Sequence, residues 1–192
     1  MQHWKIWYTL PNGKSFAFVA RSMTSSLGLM AARQFYPERL PGPEPTAGNA
    51  HRLLDHTIGA TLPSGCVVVV RDPVERFASL LGRWTGVETD DAIAMVRWGL
   101  GKGGDETINR DVLEAATLLM MHHFCGAATF AQQDSTLIKF SDISGAANAL
   151  GLTGEAAHIN QSESHRQLTS EQQSKLATIY ADDLALWQSL QP

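Results

Sequence analysis

Residues 4–9, WKIWYT, alternate apolar and polar side chains, and residues 15–20, SFAFVA, follow beyond an Asn12-Gly13 pair. That pattern predicts a short edge strand, a tight turn and a buried strand. The turn RSMTSS then leads into an apolar helix over 26–35. Residues 36–49 hold four prolines and read as a long surface connection, because proline suits neither a helix interior nor a central strand. A helical segment is expected over 50–61, ended by Pro63. After it, CVVVV at 66–70 has the β-branched run of a strand buried on both faces.

The next helix is written into its own start. Asp72 is placed to cap it, Pro73 stands at the first helical position and Glu75 at the third. Val74, Phe77, Ala78, Leu81 and Trp84 share one stripe, and Arg76, Ser79 and Arg83 share another that is expected to face away from the core. Helices over 89–100 and 110–125 flank the GKGG of 101–104. Met95 and Trp98 with Ile93, and the run 118–121, read as core. A third buried strand is predicted over 135–140 and a short helix over 144–150. A polar stretch at 153–168 precedes a last helix over 170–190, which Thr169 and Gln172 open as a capping box. Strands alternating with helices predict parallel pairing and an α/β fold in a single domain, 1–192, with ligands beyond the carboxyl ends of the strands. Two of the three buried strands run directly into arginine there, Arg21 and Arg71.

Composition narrows the classes. The chain has 192 residues, 18% of them charged and 44% hydrophobic, which is globular usage and not that of a disordered chain. Its formal charge of −4 lacks the electrostatic footprint of a general nucleic-acid binder. Residues 1–96 are net +1 and residues 97–192 net −5, so an anion site belongs in the first half. The two cysteines, Cys66 and Cys125, cannot build a disulfide framework, which suits a reducing cytoplasm. No run of 18 apolar residues exists and the first residues lack the apolar segment of a secretion signal, so neither membrane insertion nor export is expected.

Two segments carry candidate chemistry. In FAFVARSMTSSL, a strand, a hydroxyl-rich turn and a helix start would offer free backbone N–H groups, Thr24, Ser25 and Ser26 to a phosphate, with Arg21 adding charge. Ordinary capping by Ser or Thr is the plainer alternative. GxxxxGK followed by Ser or Thr does not occur, and no GxGxxG opens a helix directly after a predicted strand, which disfavours standard ATPases and dinucleotide enzymes. In VVVVRDPVERFAS, Arg71 emerges at a strand end and Ser79 lies on the following helix, so both can address one ligand; the plainer reading pairs Arg71 with an acid and leaves Ser79 in solvent.

At these residues the chain resembles the sulfotransferase family, which uses 3'-phosphoadenosine-5'-phosphosulfate as sulfuryl donor. An apolar strand followed by RDPxxRxxS is matched by Arg71, Asp72, Pro73, Arg76 and Ser79. The resemblance implies that Arg71 and Ser79 hold the donor's 3'-phosphate. It also implies that ARSMTSS, residues 20–26, stands where the family has its 5'-phosphosulfate loop, PKxGTT, making Arg21, Ser22, Thr24, Ser25 and Ser26 donor-binding. Thr24 and Ser25 match that loop, while Arg21 replaces its lysine, Ala20 its proline and Met23 its glycine. LIKFSDI at 137–143, the later LGL, and the closing helix with Tyr and Asp are similar to carbohydrate-type members. The implied fold is a three-layer, P-loop-NTPase-like arrangement with a central, mainly parallel sheet flanked by helices. The implied reaction moves a sulfuryl group to a hydroxyl or amine of a small-molecule or carbohydrate acceptor and releases adenosine 3',5'-bisphosphate.

Arg21 is assigned to the leaving side, where charge develops on a phosphate oxygen. The attacking hydroxyl needs a base, and His51, twenty residues before Arg71, is chosen because imidazole accepts a proton near neutral pH and carbohydrate-type members have a similar histidine segment. His56 competes with it, and a surface histidine is the plainer reading. His158, His165 and Arg166 lie in the polar stretch that could cover the donor. No HExxH or CxxC pattern occurs, so no metal is expected. A non-catalytic protein binding the same nucleotide, and an atypical nucleotide kinase using RSMTSS, are the rival readings.

Overall fold

A computed structural model describes residues 5–40, 50, 52–82, 87–102, 126–155 and 166–190. The first strand, β1 (Lys5–Thr9), returns as β2 (Ser15–Ala17) through a loop in which Gly13 takes φ 80. Only glycine adopts such a conformation without steric cost. The loop closes with Gly13 N–H on the Leu10 carbonyl at 2.9 Å and Leu10 N–H on that of Lys14 at 2.8 Å. The strands therefore pair antiparallel, with Tyr8 opposite Phe16.

The predicted helix over 50–61 is largely a strand. Residues 55–59, DHTIG, form β3 (Asp55–Gly59), antiparallel to β1 along its whole length. Thr57 and Ile58 favour extended backbone, and the free edge of β1 offers the partner. β1 is therefore interior and β3 takes the edge. β4 (Val67–Val70) pairs parallel with β2, and β5 (Thr136–Lys139) pairs parallel with β4. The sheet order is β3-β1-β2-β4-β5. The expectation of a mainly parallel sheet is thus corrected: the hairpin and the return of β3 make half of the pairings antiparallel. β5, expected to be buried, lies at the other edge and is only half-buried.

Seven α-helices occur among the described residues. They are α1 (Thr24–Phe35), α2 (Pro73–Leu81), α3 (Thr89–Gly99), α4 (Ala127–Phe130), α5 (Ile143–Ala149), α6 (Ser170–Ile179) and α7 (Ala181–Ser189), with a 3-10 turn at Pro37–Arg39. The single last helix of the sequence reading is two, divided at Tyr180. β4 organises the core through its alternation. Val67 and Val69 join Phe16, Leu27 and Met30 of α1 and Ala146 and Ala147 of α5, while Val68 and Val70 join Ala127 and Phe130 of α4, with Leu186 and Trp187 of α7 against them. Helices thus pack on both faces of the sheet, and burying the four valines contributes about 1.5–3 kcal/mol each.

A further apolar cluster joins α2, α3 and α6 through Phe77, Leu81, Ile93, Val96, Leu176 and Tyr180. Ile93 and Met95 are core as expected, but Trp98 is 39% exposed. The polar stripe of α2 does not face water. Arg76 is 2% and Ser79 1% exposed; Tyr180, between α6 and α7, lies against Arg76, and the Arg21 side chain lies against Ser79. Arg83, Trp84, the helix expected over 110–125 and most of the proline-rich connection lie outside the described residues. Among the described residues, no helix is long and apolar enough to cross a membrane.

Candidate functional site

The carboxyl ends of β2 and β4, neighbouring parallel strands, deliver Arg21 and Arg71 to one place. After β2 the chain turns, with Val19 N–H on the Ala17 carbonyl and Ser22 N–H on that of Val19, both at 3.1 Å. Arg21 then takes φ 62 and Met23 φ 58. Left-handed backbone costs a residue with a side chain about 1–2 kcal/mol, so two such residues in three positions mark a turn held in place by its surroundings. The Met23 side chain is half-buried and packs against the core beside α1.

Met23 is also the N-cap of α1, with no side-chain hydrogen bond capping the helix and no acid in its first turn. The plainer alternative, ordinary capping by Ser or Thr, does not describe this helix. Thr24, 4% exposed, donates its hydroxyl to the Val19 carbonyl at 3.0 Å, which secures the turn instead. Ser22 is 2% exposed and its Oγ has no hydrogen-bond partner among the described residues. Ser26 is buried and Ser25 half-buried. The first-turn N–H groups of a 12-residue helix, which have no intrahelical acceptor, therefore point out of a turn rich in hydroxyls.

α2 supplies the other wall. Asp72 accepts from Val74 N–H at 2.8 Å and Glu75 N–H at 3.0 Å, and Pro73 opens the helix as the sequence predicts. Arg71, immediately before this cap, donates from Nη1 to the Arg21 carbonyl at 3.1 Å. Its guanidinium carbon lies 4.4 Å from the Phe140 ring centroid, and Glu75 is 3.9 Å from its Nε. Burial lowers the Arg71 pKa, with the charge of Glu75 working against that shift. Nε is buried and makes no hydrogen bond among the described residues.

The two segments meet through Arg21. Its Nε donates to Ser79 Oγ at 3.0 Å and its Nη2 at 2.8 Å. Arg71 and Ser79 are thus joined by way of Arg21, the backbone carbonyl bonded to one and the side chain to the other. Two guanidinium groups, the Ser22 hydroxyl, which has no hydrogen-bond partner among the described residues, and a helix start without a side-chain cap together suit an oxyanion.

The other candidates separate. His51, the chosen base, lies outside the described residues, as do His122, His123, His158 and His165. His56 is exposed on β3, its ring centroid 6.5 Å from that of Tyr8. Arg166 has a structural task, donating from Nη1 to the Val87 carbonyl at 2.6 Å beside the start of α3. The sequence reading passed over Phe140, the platform of Arg71. Its signal was available, since a strand ending in Lys-Phe beside a strand ending in arginine places an aromatic ring next to the cation. No protein-family model, curated protein or solved structure matches this chain.

Proposed function

We propose that this chain is a sulfotransferase that moves a sulfuryl group from 3'-phosphoadenosine-5'-phosphosulfate to a hydroxyl or amine acceptor. The observation that carries the reading is the junction of Arg71, Arg21 and Ser79. Two segments that resemble the family's two phosphate motifs lie 58 residues apart at the Arg21 to Ser79 bond, yet converge at the ends of adjacent parallel strands. A single such segment is common; their convergence on one anion-binding corner is what two linked phosphate groups require. Helices on both faces of the sheet and a phosphate-type turn between β2 and α1 support the P-loop-like, three-layer form of the fold.

When bound, the donor supplies an activated sulfuryl group and a phosphate that leaves. In this reading Arg71, its guanidinium carbon 4.4 Å from the Phe140 ring centroid, and Ser79 grip the 3'-phosphate. The N–H groups at the start of α1, with Ser22, Thr24, Ser25 and Ser26, hold the 5'-side. Arg21 stabilises the negative charge that develops on the departing phosphate oxygen. The acceptor oxygen forms a bond to sulfur as the bond from sulfur to the phosphate oxygen breaks. That oxygen takes the electron pair, and His51 is assigned the acceptor's proton. Most of the barrier reduction comes from alignment and charge.

A second reading, a protein that binds the bisphosphate without transferring a group, is favoured by the engagement of Arg21 with Ser79, which turns the guanidinium toward α2. Incubating the protein with donor carrying labelled sulfate and a panel of alcohols, sugars and amines separates the two. Label recovered in an acceptor supports the transferase, and label that stays on the donor across the whole panel favours the binder.

A further inference from the structure

Among the described residues, the largest fully buried side chain is a cation. Arg76 is 2% exposed and sits one helical turn before Ser79 on α2, so the two share a face. Across from that face lies the junction where α6 ends and α7 begins. The Arg76 guanidinium carbon is 5.4 Å from the centroid of the Tyr180 ring, which is itself 1% exposed. Three residues further on, Asp183 is 7% exposed and accepts from Ala128 N–H at 3.0 Å, tying α7 to α4. Arg76 lowers the Asp183 pKa, against a larger upward effect of burial. Gly126 is required beside this group, since a β-carbon there would overlap the Asp183 carboxylate.

A buried guanidinium is costly to desolvate, and taking away one of its partners leaves an uncompensated buried charge, so the groups around it resist displacement. From this arrangement we infer that Arg76 is a positioning residue, which pins α2 to the α6–α7 junction so that the Ser79 hydroxyl meets Arg21. Its task in donor binding rests on the sulfotransferase reading. The geometric link itself does not, and the two fail separately.

The test reads the Arg21 Nε–H signal by nitrogen-15 NMR in the ligand-free protein. In the wild type the bond to Ser79 slows exchange of this proton with solvent. Arg76→Met keeps the volume but removes the charge, and exchange is expected to quicken about tenfold, the loss of one hydrogen bond to a charged group. Arg76→Lys is expected to restore part of the protection. In a Ser79→Ala background Arg76→Met should add nothing, because its effect passes through the lost hydroxyl. Should Arg76→Met fail to fold, Tyr180→Leu removes the ring beneath the guanidinium and reads the same proton. Unchanged exchange in a folded variant, or the same acceleration with and without Ser79, overturns the inference. Binding of adenosine 3',5'-bisphosphate to the wild type is measured alongside. Its absence removes the donor-site reading while leaving the exchange result to decide the role of Arg76.

Discussion

Arg21 and Ser79 meet side chain to side chain, with two guanidinium N–H groups at 3.0 and 2.8 Å from the single hydroxyl oxygen of a serine that is 1% exposed. One residue follows β2 and the other lies within α2, so the contact joins the two segments on which the functional reading stands. Arg71 completes the corner by holding the Arg21 carbonyl.

Ser79→Ala removes the acceptor of both N–H groups and, in the proposed site, a donor to phosphate. Hydrogen bonds to charged groups contribute about 1.5–3 kcal/mol, so the dissociation constant for adenosine 3',5'-bisphosphate is expected to rise about tenfold or more in isothermal titration. Unchanged affinity would place the phosphate elsewhere.

Met23 carries a side chain at φ 58. Met23→Ala keeps the backbone strain and gives up the packing, whereas Met23→Gly gives up the packing and relieves the strain. The glycine variant is therefore expected to be the more stable of the two by about 1 kcal/mol in urea unfolding. The opposite order would mean that the turn is not left-handed at this residue.

Asp72 caps α2 through two backbone N–H groups. Asp72→Ala is expected to cost about 1 kcal/mol, read as a lower unfolding midpoint in urea. A loss close to zero would show that α2 starts elsewhere.

Burial holds the Asp183 carboxyl above the usual carboxylate range. The folded chain therefore binds this proton more tightly than the unfolded chain, and the stability linked to it declines as pH rises above the ordinary value of about 3.9. Asparagine does not titrate. The melting temperature of Asp183→Asn, relative to wild type, is expected to rise between about pH 3.5 and pH 7. A difference that stays constant or falls over that interval contradicts the assigned direction.

How much of this was legible depended on where each signal was local. Asp72-Pro73 at the start of α2 and the Thr169 and Gln172 capping box are short-range devices, and both occur as the sequence predicts. The buried valine run is equally local, because no other element needs so many β-branched residues in succession. β3 was illegible because two β-branched residues in DHTIG are too few to mark a strand, and the segment becomes one through its pairing with β1, which lies far off in sequence. The polar stripe of α2 was misread for a related reason. Amphipathicity shows which side of a helix is polar, not whether water or another part of the chain covers it; Tyr180, about a hundred residues away, lies against Arg76, and Arg21, 58 residues before Ser79, lies against that serine. At the candidate site, residue types and strand ends could be read, whereas the bond between Arg21 and Ser79 could not, since it depends on how two separate turns face each other. His51, the residue proposed as proton acceptor, falls outside the described residues.

The most direct test is thermal unfolding of the wild type and Arg71→Ala with adenosine 3',5'-bisphosphate, and separately with ATP and magnesium. The bisphosphate at about a hundred times its dissociation constant should stabilise the wild type by about 2.7 kcal/mol, a shift of several degrees. ATP should give little, and folded Arg71→Ala should show no shift with either. A wild type that the bisphosphate leaves unmoved, or an Arg71→Ala variant shifted as far as the wild type, would contradict the placement of a nucleotide phosphate at this corner.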